Sequence, residues 1–311
     1  MGTGTKVGVI RAWLAHPDAL ALVGELPESV VVDDWDGQGA APESMRDVEF
    51  YVVPFSHYRP ALELIPQLPR LRVVHTCTAG FDRVFGLVPP GVTLCNARGV
   101  HDTSAAEWVV TAMLAMIREF PEFVIEQHEH RLRQRYPDTL AGKTVMLLGY
   151  GSIARAVERR LAGFGVEVIK VASRARDGDV YGVEALGELL PRSQVVVVLA
   201  PLNDSTRGIV DASFLAKMPD GALLVNAGRG PLVDHAALLE KLRSGRLRAA
   251  ADVGDPEPLP PDHPLLATQG FFYTPHQAGH TRLAVPSAYR LIGEQLRRYI
   301  AGEPLVNVVK G

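Results

Sequence analysis

The sequence is short of several things, and each shortage removes a class of function. It has two cysteines, Cys77 and Cys95, both inside apolar strand-like runs. Buried reduced thiols are expected there rather than a disulfide framework. No stretch reaches about 18 uninterrupted apolar residues, so no membrane-spanning helix is expected. A net charge of −3 provides no basic footprint for nucleic acid. The one basic cluster, Arg131, Arg133 and Arg135, is short and has acidic neighbours. No charged segment precedes a clean apolar stretch at the N-terminus, where Arg11 interrupts the candidate run. Lys6 occupies the position where myristoylation after Met1-Gly2 calls for Ser or Thr. There is no internal repeat of about 20–50 residues and no low-complexity tract. These absences lead to the expectation of a cytoplasmic protein with no metal, no membrane and no nucleic-acid partner.

What is present is an alternation of apolar runs and longer amphipathic segments. In the first hundred residues the strand candidates are Lys6–Ile10, Val30–Trp35, Phe50–Phe55, Leu71–Cys77 and Val92–Ala97. Near-continuous β-branched runs of this kind favour a parallel sheet covered on both faces. Ser104, with Glu107 three residues on, reads as a capping box opening the very apolar helix AAEWVVTAMLAMI. Such a helix is expected to be buried between domains or against another subunit. Further strands are read at Val145–Leu148, Val166–Val171, Gln194–Ala200, Ala222–Ala227, Leu247–Val253 and Phe271–Thr274, six in all. An amphipathic helix over Ala288–Ile300 follows. At 311 residues the chain suits two domains or one large one.

The stretch Val145–Ser173 reads as strand, glycine turn, helix, strand, with the turn Gly149-Tyr150-Gly151-Ser152-Ile153-Ala154. Gly149 permits the sharp turn. Gly151 lets the backbone approach a pyrophosphate held on the helix amides, and Ala154 sets helix–strand packing. Where the second strand ends, an NAD site would usually carry Asp or Glu. This chain has Ala172-Ser173-Arg174-Ala175-Arg176. Guanidinium groups clasp a 2′-phosphate that a carboxylate would repel, so NADP is the expected cofactor, with NAD possible as a substitute. The alternative is two solvated surface arginines.

In open α/β sheets ligands bind beyond the carboxyl ends of the strands. Three reactive residues follow three consecutive strand runs: Arg229 after LLVNAG, Glu257 after AAADVGDP, and His276 after FFYTP. A ketone flanked by a carboxylate needs a cation to hold the acid and polarise the carbonyl, which suits Arg229. Hydride arrival makes an alkoxide, and His276 could supply its proton. Glu257 would favour the imidazolium and fix its orientation.

With these residues in view, the sequence resembles the D-isomer-specific 2-hydroxyacid dehydrogenases over nearly its whole length. The resemblance is carried by GYGSIA, Asn226-Ala227-Gly228-Arg229-Gly230, Asp252-Val253 through Glu257-Pro258-Leu259-Pro260, Thr274-Pro275-His276 and the closing Gly302-x-Pro304-x-x-Asn307-Val308-Val309. It implies an α/β fold of two doubly wound parallel-sheet domains, with a Rossmann cofactor domain (101–285) inserted into a flavodoxin-like substrate domain (1–100 plus 286–311). It implies Arg229, Glu257 and His276 as the catalytic set, and cofactor contacts at Gly149, Gly151, Ser152, Ile153, Ser173, Arg174, Arg176, Ala200, Pro201, Ala227, Asp252 and Gly279. Asp252 would bond the nicotinamide carboxamide, while the Ala79-Gly80 backbone and Arg229 would hold the substrate carboxylate. The apolar helix and the arm after it would form a homodimer.

Departures from the pattern refine these expectations. The family's usual aromatic after Asp-Val is Gly254 here, which would loosen that loop or widen the site. The Ser173-Arg174 pair is similar to NADPH-dependent glyoxylate and hydroxypyruvate reductases. The expectation is that no C-terminal regulatory domain follows, contrary to the long phosphoglycerate dehydrogenases. Ala79 stands where phosphite dehydrogenases carry lysine, and formate dehydrogenases carry glutamine at the Glu257 position. The expected activity is NADPH-dependent reduction of glyoxylate or hydroxypyruvate to the hydroxyacid. The alternatives are a larger or phosphonate-bearing acid, its size set near Ser56, His57, Arg98 and Trp108, or a nucleotide-sensing corepressor-like binding protein.

Overall fold

The computed structural model describes residues 9–35, 40–55 and 59–311. Met1, Gly2, Lys6, Ser56 and His57 lie outside the described residues, as does most of the expected Lys6–Ile10 strand. In chain order the strands are β1 (Ile10–Leu14), β2 (Val30–Asp34), β3 (Val48–Val53), β4 (Val73–Thr76), β5 (Thr93–Cys95), β6 (Thr144–Leu148) and β7 (Glu167–Ala172). They continue as β8 (Val180–Gly182), β9 (Val195–Val198), β10 (Leu223–Asn226), β11 (Arg248–Ala251), β12 (Phe271–Tyr273) and β13 (Val308–Lys310). The chain separates into two compact units, one formed by Met1–His101 with Arg282–Gly311, the other by Asp102–Thr281.

The first unit holds a sheet in the order β13-β5-β4-β3-β1-β2. Its parallel part, 2-1-3-4-5, is the flavodoxin-type winding, and β13 adds an antiparallel edge. Successive residues of β3 face opposite ways. Phe50 and Val52 pack with Ile292 and Leu296 of the Ala284–Ala301 helix, whereas Tyr51 and Val53 pack with Trp13, Ile65 and Val74. Among the described residues the first strand begins at Ile10, and Arg11, which reads as a break, belongs inside it. Its guanidinium reaches Asp33 of β2 at 2.6 Å, and Ala12, Trp13 and Leu14 are buried beyond it.

The second unit holds seven parallel strands in the order β12-β11-β10-β9-β6-β7-β8. That is the dinucleotide-binding order with one strand beyond β11, and one more strand than the six read from sequence. The additional edge strand β8 has three residues and follows a polar turn, so its pattern is that of a loop. Alternate residues again cover both faces. Met146, Leu148, Val196 and Val198 meet one core, and Val145, Leu147, Val195 and Val197 the other.

The apolar helix runs over Asp102–Ile117, so Ser104 lies in its first turn and does not cap it. Its buried residues Val109, Met113 and Met116 pack with Leu147, Val197, Val225 and Val157 of the same unit. Much of its apolar character is therefore used against its own sheet. The next helix, Phe120–His128, differs, because Phe120, Val124 and Ile125 are all more than half exposed. Arg135 folds the following segment back on this helix through Glu119 (2.5 Å) and Glu126 (2.7 Å), with its guanidinium over the Phe123 ring. The basic cluster is thus partly consumed by local acids.

Candidate active site

The glycine turn is shaped by what its residues lack. Gly149 has φ +99°, and a Cβ there would lie 2.3 Å from the backbone nitrogen of Ala200. No other residue fits that crossing between the ends of β6 and β9. A Cβ on Gly151 would meet only the Gly149 carbonyl, at 4.0 Å, so the space in front of this residue is open. The ten-residue Ser152–Leu161 helix starts from Gly151 with no side-chain cap, leaving first-turn amides for an anion. Ala154 is fully buried against the sheet, as a small third position requires. A cradle of this kind fits the pyrophosphate of a dinucleotide. Ile153 is half-buried in the first turn of that helix, beside the expected contacts. Ser152 turns its hydroxyl to Asp102 at 3.0 Å, so this side chain is engaged by the protein.

Beyond β7, Ser173 and Arg174 are exposed. Arg176 reaches back and donates to the Tyr150 carbonyl of the glycine turn at 2.7 Å. One of the two arginines therefore also braces the turn. Ala200 and Pro201 follow β9, and Ala227 follows β10, where its amide donates to Val198 at 3.1 Å.

Three adjacent strands, β10, β11 and β12, deliver the reactive residues. After β10, Asn226 directs the turn, its side chain accepting from the Gly228 amide and donating to the Arg229 carbonyl. Arg229 is half-buried and donates to the Gly228 carbonyl at 2.8 Å. After β11 the loop 254–258 carries Glu257, and after β12 the next turn carries His276. Glu257 Oε1 lies 2.5 Å from His276 Nδ1. The Glu257 side chain is 21% exposed and that of His276 39%, so the carboxylate sits behind the ring and the ring faces outward.

His276 has φ +57°, a left-handed conformation that a side chain disfavours. The turn is held by Asp252, at the end of β11. Its carbonyl accepts from the His276 amide at 2.6 Å, and its carboxylate accepts from Thr274 Oγ1 and from the amides of Gln277 and Ala278. Burial pushes the Asp252 carboxyl above its ordinary value, against the pull of those hydrogen bonds. In the described structure this residue organises the turn that carries His276, a role that sequence reasoning missed along with that of Asn226. The available signal was an Asx residue ending each apolar run. Gly279 lies at the end of the same turn.

Two expectations fare differently. Gly254 opens no space, because the side chain of Leu259 lies 2.6 Å from where its Cβ would be. Ala79 and Gly80 belong to the first unit, beyond β4, with their carbonyls held by Asn96 and Thr78. Among the described residues there is no group of three potential metal ligands, and no helix long and apolar enough to cross a membrane.

Comparison with known proteins bears on what this arrangement serves. A family model described as "D-isomer specific 2-hydroxyacid dehydrogenase, NAD binding domain" matches residues 110–278. The D-3-phosphoglycerate dehydrogenase of Methanocaldococcus jannaschii is 31% identical over 94% of this chain, which spans only 57% of that relative. The glyoxylate reductase of Aeropyrum pernix is 35% identical over 79% of this chain and 78% of its own. Among solved structures, the NADPH-dependent glyoxylate/hydroxypyruvate reductase of Sinorhizobium meliloti, in complex with NADP and sulfate, superposes with a TM-score of 0.83. It is 29% identical, with 97% of this chain and 98% of that chain covered.

Proposed function

The chain belongs to the D-isomer-specific 2-hydroxyacid dehydrogenase family, and from that premise we propose that it reduces small 2-oxoacids, glyoxylate and hydroxypyruvate first among them, with NADPH. The observation carrying the reading is the 2.5 Å pairing of His276 Nδ1 with Glu257, on the strand ends of the unit that holds the glycine turn. When bound, the nicotinamide supplies the hydride. His276 holds the proton that the resulting alkoxide takes, at Nε2, while Glu257 accepts from Nδ1 and sets the rotation of the ring within its own plane. Arg229 holds the substrate carboxylate and draws charge toward the carbonyl oxygen. Gly149, Gly151 and the helix start at Ser152 hold the pyrophosphate, and Arg174 with Arg176 meets the 2′-phosphate.

Two observations support the rest of the reading. The Ser173-Arg174 pair and the absence of an acid at position 172 favour NADPH. The exposed Phe120, Val124, Ile125, Leu132 and Tyr136 favour a homodimer formed through this segment. The test is steady-state reduction of a panel of 2-oxoacids with NADPH and with NADH. Turnover of glyoxylate or hydroxypyruvate, with NADPH used better, is the expected result. Better use of NADH removes the cofactor assignment, and no turnover of any 2-oxoacid removes the activity.

A further inference from the structure

Four residues past His276 the chain supplies a second imidazole that the catalytic scheme above does not use. The rings of His276 and His280 lie 5.6 Å apart, centroid to centroid, with their planes 24° from parallel. The turn that makes this contact is closed by the His280 amide donating to the Gln277 carbonyl at 3.0 Å, next to the Gln277 and Ala278 amides bound by Asp252.

The ring of His276 is constrained from two directions. Glu257 bonds Nδ1 and sets the rotation of the ring within its own plane. A hydrogen bond at one edge does little against rocking out of that plane, and the torsion about Cβ–Cγ is broad. Rocking about the Nδ1 edge swings Nε2, the atom that carries the transferred proton. Only a group against the flat face of the ring resists that motion, and His280 is such a group. Offset aromatic contacts of this separation are favourable. The charged and titratable groups known to face His276 are Glu257 at its edge, Asp252 beneath its backbone and His280 on its face.

We propose that His280 is a positioning residue that clamps the His276 ring face-on, so that Nε2 stays aimed while Nδ1 is held by Glu257. The inference rests on the reading of His276 as proton donor. It asks of residue 280 a flat ring, without asking for its nitrogen atoms. Phenylalanine should therefore serve where alanine should not.

The experiment uses the full chain in three forms: wild type, His280→Ala and His280→Phe. With NADPH and glyoxylate, His280→Ala should lose about tenfold in kcat with KM for both reactants nearly unchanged, and His280→Phe should recover most of it. Independently of turnover, imidazole ¹⁵N shifts of His276, assigned by their loss in His276→Asn, report ring order. Wild type and His280→Phe should show one sharp tautomer for the neutral ring, and His280→Ala averaged or broadened signals. Unchanged shifts in His280→Ala, or equal losses in the alanine and phenylalanine variants, overturn the clamp. Wild type that turns over no 2-oxoacid overturns the proposed function, while the ring signals still decide for or against the clamp.

Discussion

Gly230 faces Gly254 so closely that a Cβ on residue 230 would lie 1.9 Å from the Gly254 carbonyl oxygen and 2.8 Å from the Asp255 nitrogen. The turn that carries Arg229 and the loop that carries Glu257 are therefore seated backbone to backbone. Both atoms that a side chain would meet are main-chain atoms, which cannot move aside cheaply. Gly230→Ala should push the two loops apart, and displacements near 1 Å at a reacting centre cost about 100-fold in rate. We expect kcat on a 2-oxoacid to fall by about that factor while NADPH affinity, measured by fluorescence titration, is nearly retained. Normal turnover in this variant would mean that the spacing of the two loops does not matter.

The bond between Glu257 and His276 yields a second prediction. Glutamine at position 257 has nearly the same shape but loses the charge, and its amide can present a donor where Nδ1–H needs an acceptor. Glu257→Gln should lower kcat by about 100-fold, within the range for general acid–base groups, with little change in KM. His276→Asn should lose at least as much, and the double variant little more, because the two residues act as one unit. A double variant with fully additive losses would separate their roles.

Much of this site was legible because its signals are local. Gly149, Gly151 and Ala154 occupy one turn, and the residue types at 229, 257 and 276 follow recognisable apolar runs. What escaped depends on pairings distant in sequence. Asp252 holds a turn 22 to 26 residues later, and an Asx ending an apolar run does not say which distant turn it will hold. The 230–254 approach involves two glycines that look alike in sequence, and only the fold shows that one abuts the other's carbonyl. Strand β8 is too short to have a period, and Arg11 reads as a break because its partner Asp33 lies on the next strand. In the opposite sense, Ser104 and Glu107 have capping spacing, but the helix starts earlier, at Asp102.

The two arginines past β7 should not behave alike. Arg174 is exposed, whereas Arg176 donates to the Tyr150 carbonyl within the glycine turn. Arg174→Ala should therefore weaken NADPH selectively, by about tenfold for one lost charge-assisted hydrogen bond, and leave NADH alone. Arg176→Ala also releases the turn, so it should weaken both cofactors. Dissociation constants for the two nucleotides with each variant settle the matter, and an Arg176→Ala effect confined to NADPH would show that the brace on Tyr150 is immaterial.

His75, on β4, should make the fold sensitive to acid. Its ring is fully buried, stacked on Phe50, and donates from Nδ1 to the Thr76 carbonyl at 2.9 Å. Burial, outweighing that hydrogen bond, lowers its pKa from 6.5 to about 4. The folded protein thus holds the ring neutral in a range where the unfolded chain would protonate it. Stability from this group is complete above pH 6.5, falls as the pH drops because the unfolded state binds the extra proton, and levels off below about pH 4. The total swing is on the order of 3 kcal/mol. His75→Gln keeps a donor for Thr76 but does not titrate, so its denaturation midpoint should start lower at pH 7 and change less between pH 7 and 4 than that of wild type. Equally steep profiles for the two proteins would place the acid sensitivity elsewhere in the chain.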